Sequence, residues 1–284
     1  MVLFVGDTSS NNGDVNLKEA AGTLAGCIAK VTQGSGYLNP LWAGQSEILG
    51  ELASEGDFLA GAYLFADGSR ASDQARWFRE HAGPLDGWAL VVDVERNSLG
   101  PSATIADARA IVAELRVLYP YHQVGGYAPH WYSGNAGLRF FDWLFASSYV
   151  EGEGSPADLY ARVPDGWWGR YGGEGPSLLQ FSASAVIPGF PAPADCSAFR
   201  GSREALNALA GGRGAWRRVA KGAWSLDQTA FIRHATADYL VMVSEENLDG
   251  EALAAFRKYV AGGTSKIMPE GLVYYTAHRG GRAG

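Results

Sequence analysis

The chain of 284 residues is 47% hydrophobic and 12% aromatic and carries a net charge of -7, a composition ordinary for a soluble globular protein with one full-sized core and an appendage. No apolar run is long enough to span a bilayer, so membrane insertion is not expected. Residues 1–201 hold 12 Lys and Arg against 22 Asp and Glu, while residues 202–284 hold 11 against 8; this mildly basic tail suits loose attraction to an anionic polymer as well as plain solvation.

Met1 to Val5 is too short for the apolar stretch of a signal peptide and runs straight into Gly6-Asp7. It reads as a first strand, and the chain is expected to be made in the cytoplasm without a signal of its own. Short apolar runs then alternate with helical stretches, the pattern of repeated βα units and a parallel sheet. Strands are predicted at 2–6, 26–31, 58–65, 88–95, 123–127, 143–149 and 177–181. Covering helices are predicted at 41–54, 71–82 and 105–118, the last with Ile105, Ala108, Ile111, Val112 and Leu115 at three and four spacing.

The strand Trp88 to Val92 leads into Asp93-Val94-Glu95. Side chains alternate along a strand, so both carboxyls project to one side, their Cα atoms about 7 Å apart. In a shared low-dielectric pocket one would stay charged and the other hold a proton. Asp249-Gly250-Glu251 has the same spacing but follows a polar stretch at a predicted helix start, where acidic residues serve as caps.

After Gly126 the pattern loosens into an aromatic, glycine-rich region, so the second half of the barrel is expected to contain strands with few helices. Phe140, Phe141 and Trp143 are assigned to packing, and Trp167-Trp168 to either a binding platform or cover. A short helix near 202–210 leads to a linker at 211–214. Residues 215–284 read as a small β-α-β module: a strand at 239–244, Asp249 as cap, a helix with Leu253, Phe256 and Val260 on one face ending at Gly262, and a strand at 272–276. Cys27 and Cys196 lie in no metal-ligand spacing and are read as reduced, with the barrel between them. The five histidines are scattered, and there is no phosphate loop or dinucleotide fingerprint. Neither metal nor cofactor, nucleic acid nor obligate protein partner is expected.

Taken in order, the motifs over about residues 1–201 resemble the glycoside hydrolase family 25 muramidases, the Chalaropsis-type lysozymes. Gly6-Asp7-Thr8-Ser9-Ser10-Asn11-Asn12-Gly13 is similar to that family's opening strand, and Lys30-Val31-Thr32-Gln33-Gly34 with Tyr37-Leu38-Asn39-Pro40 to its Lys-Ala-Thr-Glu-Gly and Tyr-x-Asn-Pro segment. Gly61-Ala62-Tyr63-Leu64-Phe65 resembles Gly-x-Tyr-His-Phe. Asp93-Val94-Glu95 supplies an acidic pair, Leu179-Gln180-Phe181 resembles Trp-Gln-Tyr, and Asp195-Cys196-Ser197-Ala198-Phe199 the closing Val-Asp-x-Asn-x-Phe. Gln33, Leu64, Leu179 and Ser197 depart from the family's Glu, His, Trp and Asn.

The resemblance implies a flattened, TIM-like (β/α)5(β)3 barrel over residues 1–210, with a small α+β appendage as a candidate wall-binding module. It implies cleavage of the β-1,4 bond between N-acetylmuramic acid and N-acetylglucosamine in bacterial peptidoglycan, by a phage endolysin reaching the wall after release or by a virion-associated hydrolase. Asp7, Asp93, Glu95 and Asp195 fall on the family's four acidic positions. Glu95 would be general acid and base, kept protonated by its apolar strand and the Asp93 charge, and Asp93 would orient the substrate acetamide. Tyr63, Tyr127, Trp131, Gln180 and Gln33 are candidates to bind the glycan. Two other readings stay open: a glycan-binding module without turnover, and a chitin-type N-acetylglucosaminidase of the same mechanism.

Overall fold

The computed structural model describes residues 1–120, 122–129, 137–169, 171 and 175–211 in full, and beyond them the backbone of six strands. The chain divides into two compact units, Met1–Ala210 and Gly211–Gly284.

In the first unit, strands β1 (Val2–Thr8), β2 (Gly26–Gln33), β4 (Leu59–Phe65), β5 (Ala89–Asp93), β6 (Val124–Tyr127), β7 (Trp143–Ser147), β8 (Leu178–Ala185) and β9 (Ala194–Arg200) pair in sequence order. The β1–β2 and β1–β9 pairings close them into an eight-stranded barrel. The first seven are parallel neighbours, while β9 runs antiparallel to both β8 and β1. A short β3 (Tyr37–Leu38) folds back on β2. Helices α1 (Leu17–Ala20), α2 (Trp42–Ser54), α3 (Ala71–Ala82), α4 (Ile105–Leu118), α5 (Pro156–Tyr160) and α6 (Arg203–Asn207) complete the unit. This is the flattened TIM-like barrel expected, and the predicted bounds of α2, α3 and α4 hold within a residue.

Local chemistry explains the helices. Thr104 caps α4 by accepting from the Asp107 N–H while the Asp107 side chain accepts from the Thr104 N–H, and Ala108, Ile111, Val112 and Leu115 form its buried stripe. In α3 the stripe is Gln74, Ala75 and Phe78, and Gly83 ends the helix at φ 68°. Each large apolar side chain buried between helices and sheet contributes about 1.5–3 kcal/mol.

The barrel interior positions the site. Side chains at alternate positions share an inner apolar cluster containing Leu3 and Val5 of β1, Ala89 and Val91 of β5, Trp143 and Phe145 of β7 and Leu178 of β8. Leu206, Leu209 and Ala210 pack into the same cluster. The next inward positions toward the strands' carboxyl ends are Asp7, Asp93 and Gln180, so the interior changes from apolar to polar at one level. In β9 the order is reversed, with Asp195 near its start and Phe199 near its end, because this strand alone runs the other way.

Asp195 is the second residue of β9, and antiparallel pairing brings it to the rim that the other strands reach at their carboxyl ends. One expectation needs correction: the barrel does not separate Cys27 from Cys196, for both register against Gly6, from opposite sides of β1. They are free and buried, and two strand spacings, about 9.5 Å, exceed the reach of a disulfide.

In the second unit β10 (Trp216–Ala220) and β11 (Ala223–Leu226) form a hairpin. β12 (Phe231–His234), β13 (Ala237–Val243), β15 (Val273–Thr276) and β14 (Ser265–Ile267) form an antiparallel sheet in that order. β13 and β15 overlap the strands read at 239–244 and 272–276; four more accompany them. The helix read from Asp249 to Gly262 and linker residues 212–214 lie outside the described residues.

Candidate active site

A cavity of about 230 Å³ opens at the polar end of the barrel, and Asp7, Asp93, Glu95 and Asp195 all line it. Asp7 comes from β1, Asp93 from the last position of β5 and Asp195 from β9, with Glu95 just beyond β5. The Val94 N–H donates to the Tyr127 carbonyl at 2.8 Å, which continues the β5–β6 pairing far enough to keep Glu95 on the inward side.

Burial raises the proton affinity of all four carboxyls. Asp93 is 8% exposed and is pushed well above the usual carboxylate range, first by burial and then by the charge of Glu95, with Lys30 opposing. Asp7 is also pushed well up, by burial and then by Asp195 and Glu95, against a hydrogen bond from Gln180. Glu95 is raised by burial and then by Asp195, again opposed by Lys30, and Asp195 is pushed up to about 6 by burial. The charge that acts on Glu95 is therefore that of Asp195 rather than of Asp93, and Asp93, the deeper group, binds its proton more firmly than expected. These groups titrate as a set.

Asp93 Oδ1 is buried without a hydrogen-bond partner among the described residues. A buried, unmatched carboxyl oxygen is costly in the free protein. Asp7 is held differently. Gln180 Nε2 donates to Asp7 Oδ2 at 3.1 Å, while Gln180 Oε1 accepts from Tyr127 at 2.7 Å and Tyr149 at 3.0 Å. Two hydroxyls on the amide oxygen leave the amide nitrogen to face Asp7, which fixes the side chain's orientation. Tyr63 lines the cavity too, its phenol held neutral by burial and the surrounding acids.

Of the glycan-binding candidates, Tyr63, Tyr127 and Gln180 line the cavity. Gln33 stands behind the wall, accepting from Lys30 Nζ at 2.7 Å and donating to Asn97 Oδ1 at 3.3 Å. Trp131 lies outside the described residues. Phe141 and Trp143 are buried in packing, and Trp167 and Trp168 cover the outer core, with the Arg200 guanidinium 4.7 Å from the Trp168 ring centre. Leu64 and Leu179, which depart from the family pattern, face that outer core.

Sequence reasoning missed Lys30 and Tyr149. A lysine inside a predicted strand reads as a solvated edge residue, yet Lys30 is 8% exposed and lines the cavity. The apolar residues flanking it were the available signal. Tyr149, 47% exposed at the cavity mouth, carried no signal beyond lying at a strand end. Among the described residues no group of His, Cys, Asp and Glu is placed to hold a metal ion.

No protein-family model matches the sequence, and no curated protein matches it. Solved structures do. The lysozyme of Streptomyces coelicolor is 21% identical at a TM-score of 0.57, over 73% of this chain and 96% of that one. The fold is that of the family 25 lysozymes. A family GH25 lysozyme from Aspergillus fumigatus is 22% identical at a TM-score of 0.55, over 75% and 100%. The catalytic domain of endolysin ply40, from a bacteriophage of Listeria monocytogenes, is 18% identical at a TM-score of 0.54, over 74% and 98%. The likeness thus spans nearly the whole of each lysozyme barrel, and on this chain a share close to that of the Met1–Ala210 unit.

Proposed function

We propose that the first unit is a peptidoglycan hydrolase, an N-acetylmuramidase cleaving the β-1,4 bond between N-acetylmuramic acid and N-acetylglucosamine. The observation that carries the reading is the convergence of four carboxyls with raised proton affinity on one cavity at the carboxyl-end rim of a lysozyme-type barrel.

Glu95 lies nearer solvent than Asp93, and its raised proton affinity suits a group that protonates the glycosidic oxygen and then, as its conjugate base, activates water. Asp93 lines the cavity beside it and orients the substrate's 2-acetamido group through its carboxyl. Held so, the acetamide oxygen attacks the anomeric carbon as the glycosidic bond breaks, and water then opens the resulting oxazolinium ring with net retention. Asp7, oriented by Gln180, and Asp195 line the same rim, where either carboxyl, when ionised, favours the developing oxocarbenium charge.

Incubation with purified peptidoglycan tests this reading. New reducing ends from the wild type that disappear in Glu95→Gln support hydrolysis; retention of glycan by a wild type that releases none would identify a binding module. Borohydride reduction of the products yields muramitol from a muramidase and glucosaminitol from a chitin-type enzyme. We propose further that the protein acts as a phage endolysin, with residues 215–284 as a wall anchor. The likeness to an endolysin catalytic domain and the mildly basic tail support that reading.

A further inference from the structure

Lys30 is the single basic side chain among the described residues that line the cavity. One of its N–H groups donates to Gln33 Oε1 at 2.7 Å, and its ammonium lies 4.6 Å from the Phe65 ring centre and 5.5 Å from that of Tyr37. None of these neighbours carries a formal negative charge, and no carboxylate among the described residues pairs directly with Nζ. The Gln33 amide is itself fixed, because its Nε2 donates to Asn97 Oδ1, which also accepts the Leu99 N–H at 3.0 Å.

We propose that Gln33 and Lys30 act as a charge-setting pair for the Asp93–Glu95 carboxyls: Gln33 positions the ammonium through a neutral hydrogen bond, so its whole positive charge falls on the two acids. Both are positioning residues, and their assignment rests on the roles given to Asp93 and Glu95 above. A glutamate of the same shape at position 33 would put a carboxylate against Nζ and cancel that charge.

The titratable and charged groups facing Lys30 are Asp93 and Glu95, Tyr63 from β4 and Tyr37 from β3. Across the cavity stand Asp7, Tyr127, Tyr149 and Asp195. Tyr63, Tyr127 and Tyr149 are neutral phenols whose proton affinity is raised further in the cavity, so the balance lies between one ammonium and four carboxyls. Through-space attraction between Lys30 and both Asp93 and Glu95 opposes the effect of burial on all three groups.

Carbon-detected NMR titration of the side-chain carboxyls in the full chain tests the pair without requiring turnover. Gln33→Glu and Lys30→Met are each expected to move the Asp93 and Glu95 midpoints upward by about 1 pH unit, whereas Lys30→Arg keeps them near the wild type. In the active enzyme the limbs of the kcat/KM profile move the same way. Unmoved midpoints in a folded Gln33→Glu protein would overturn the proposal, as would an arginine variant shifted as far as the methionine one. Should Lys30→Met fail to fold, Gln33→Glu decides alone, since it changes a half-buried side chain without changing its size. A wild type that releases no reducing ends refutes the hydrolase reading, while the midpoints still judge the pair.

Discussion

Asp7, Asp93, Glu95 and Asp195 oppose folding whenever they ionise, because each leaves water for a cavity holding three other acids. For Asp195 the folded value of about 6 lies above the roughly 3.9 of an unfolded chain. Between these limits the native state binds more protons, so this group's contribution to stability falls as pH rises from about 4 to about 6. Asp195→Asn is therefore expected to raise the melting temperature above the wild type's at pH 7 and to match it near pH 4, as calorimetry at the two pH values would show. Glu95→Gln removes the proposed proton donor and is expected to cost about 10²–10⁴-fold in kcat with little change in glycan binding, checked by reducing-end release alongside sedimentation with walls. Tyr149→Phe leaves Gln180 Oε1 with the Tyr127 hydroxyl alone and is expected to lower kcat several-fold with KM nearly unchanged. Asp93 and Glu95 were legible because carboxyls directly after an apolar run are unusual, whereas Asp7 and Asp195 came from the family resemblance alone. Lys30 was not, since the cavity that buries it is closed by side chains of β4, β5 and β9, which are distant from it in sequence.

Among the elements, β6 shows how tightly the barrel wall is drawn. A Cβ at Gly125 would lie 2.3 Å from the Trp143 ring on one face, and a Cβ at Gly126 would lie 2.2 Å from the Phe141 ring on the other. Neither ring is the free end of a flexible side chain, so the strand itself would have to shift. Gly126→Ala is expected to destabilise the protein by about 1–3 kcal/mol, measured by urea denaturation, and to displace Tyr127 from Gln180. The buried strands and the α2, α3 and α4 stripes were readable because their apolar periods are long and uninterrupted. β9 was not among the strands read from periodicity, and only the closing motif pointed to it: in Ala194-Asp195-Cys196-Ser197-Ala198-Phe199 the inward positions are polar at the rim and apolar below, so no alternation stands out. The short α1 and α5 carry too few turns for a periodic signal.

At the scale of the whole molecule, the core clusters of the first unit are built from residues 2–210, and every strand and acid of the site lies within them. A chain ending at Ala210 is expected to fold with the same carboxyl titration and to cleave soluble glycan fragments at close to the full-length rate. Its sedimentation with intact walls is expected to fall; unchanged sedimentation would remove the anchoring role from the second unit. The change of composition beyond residue 201 marked that unit in the sequence, but its strands are short and separated by polar stretches, which is why four of six escaped notice.

The pairing of β1 with β9 places Val2 opposite Arg200, and this has a consequence for synthesis. The first strand emerges from the ribosome long before its last neighbour, and until then β1 and β8 each present an unsatisfied edge of backbone donors and acceptors. A translation product halted before residue 194 lacks both the closing strand and Asp195, so it is prone to aggregation and cannot complete the acidic cluster. Assembly of the four-carboxyl cluster is thereby tied to near-complete translation of the barrel.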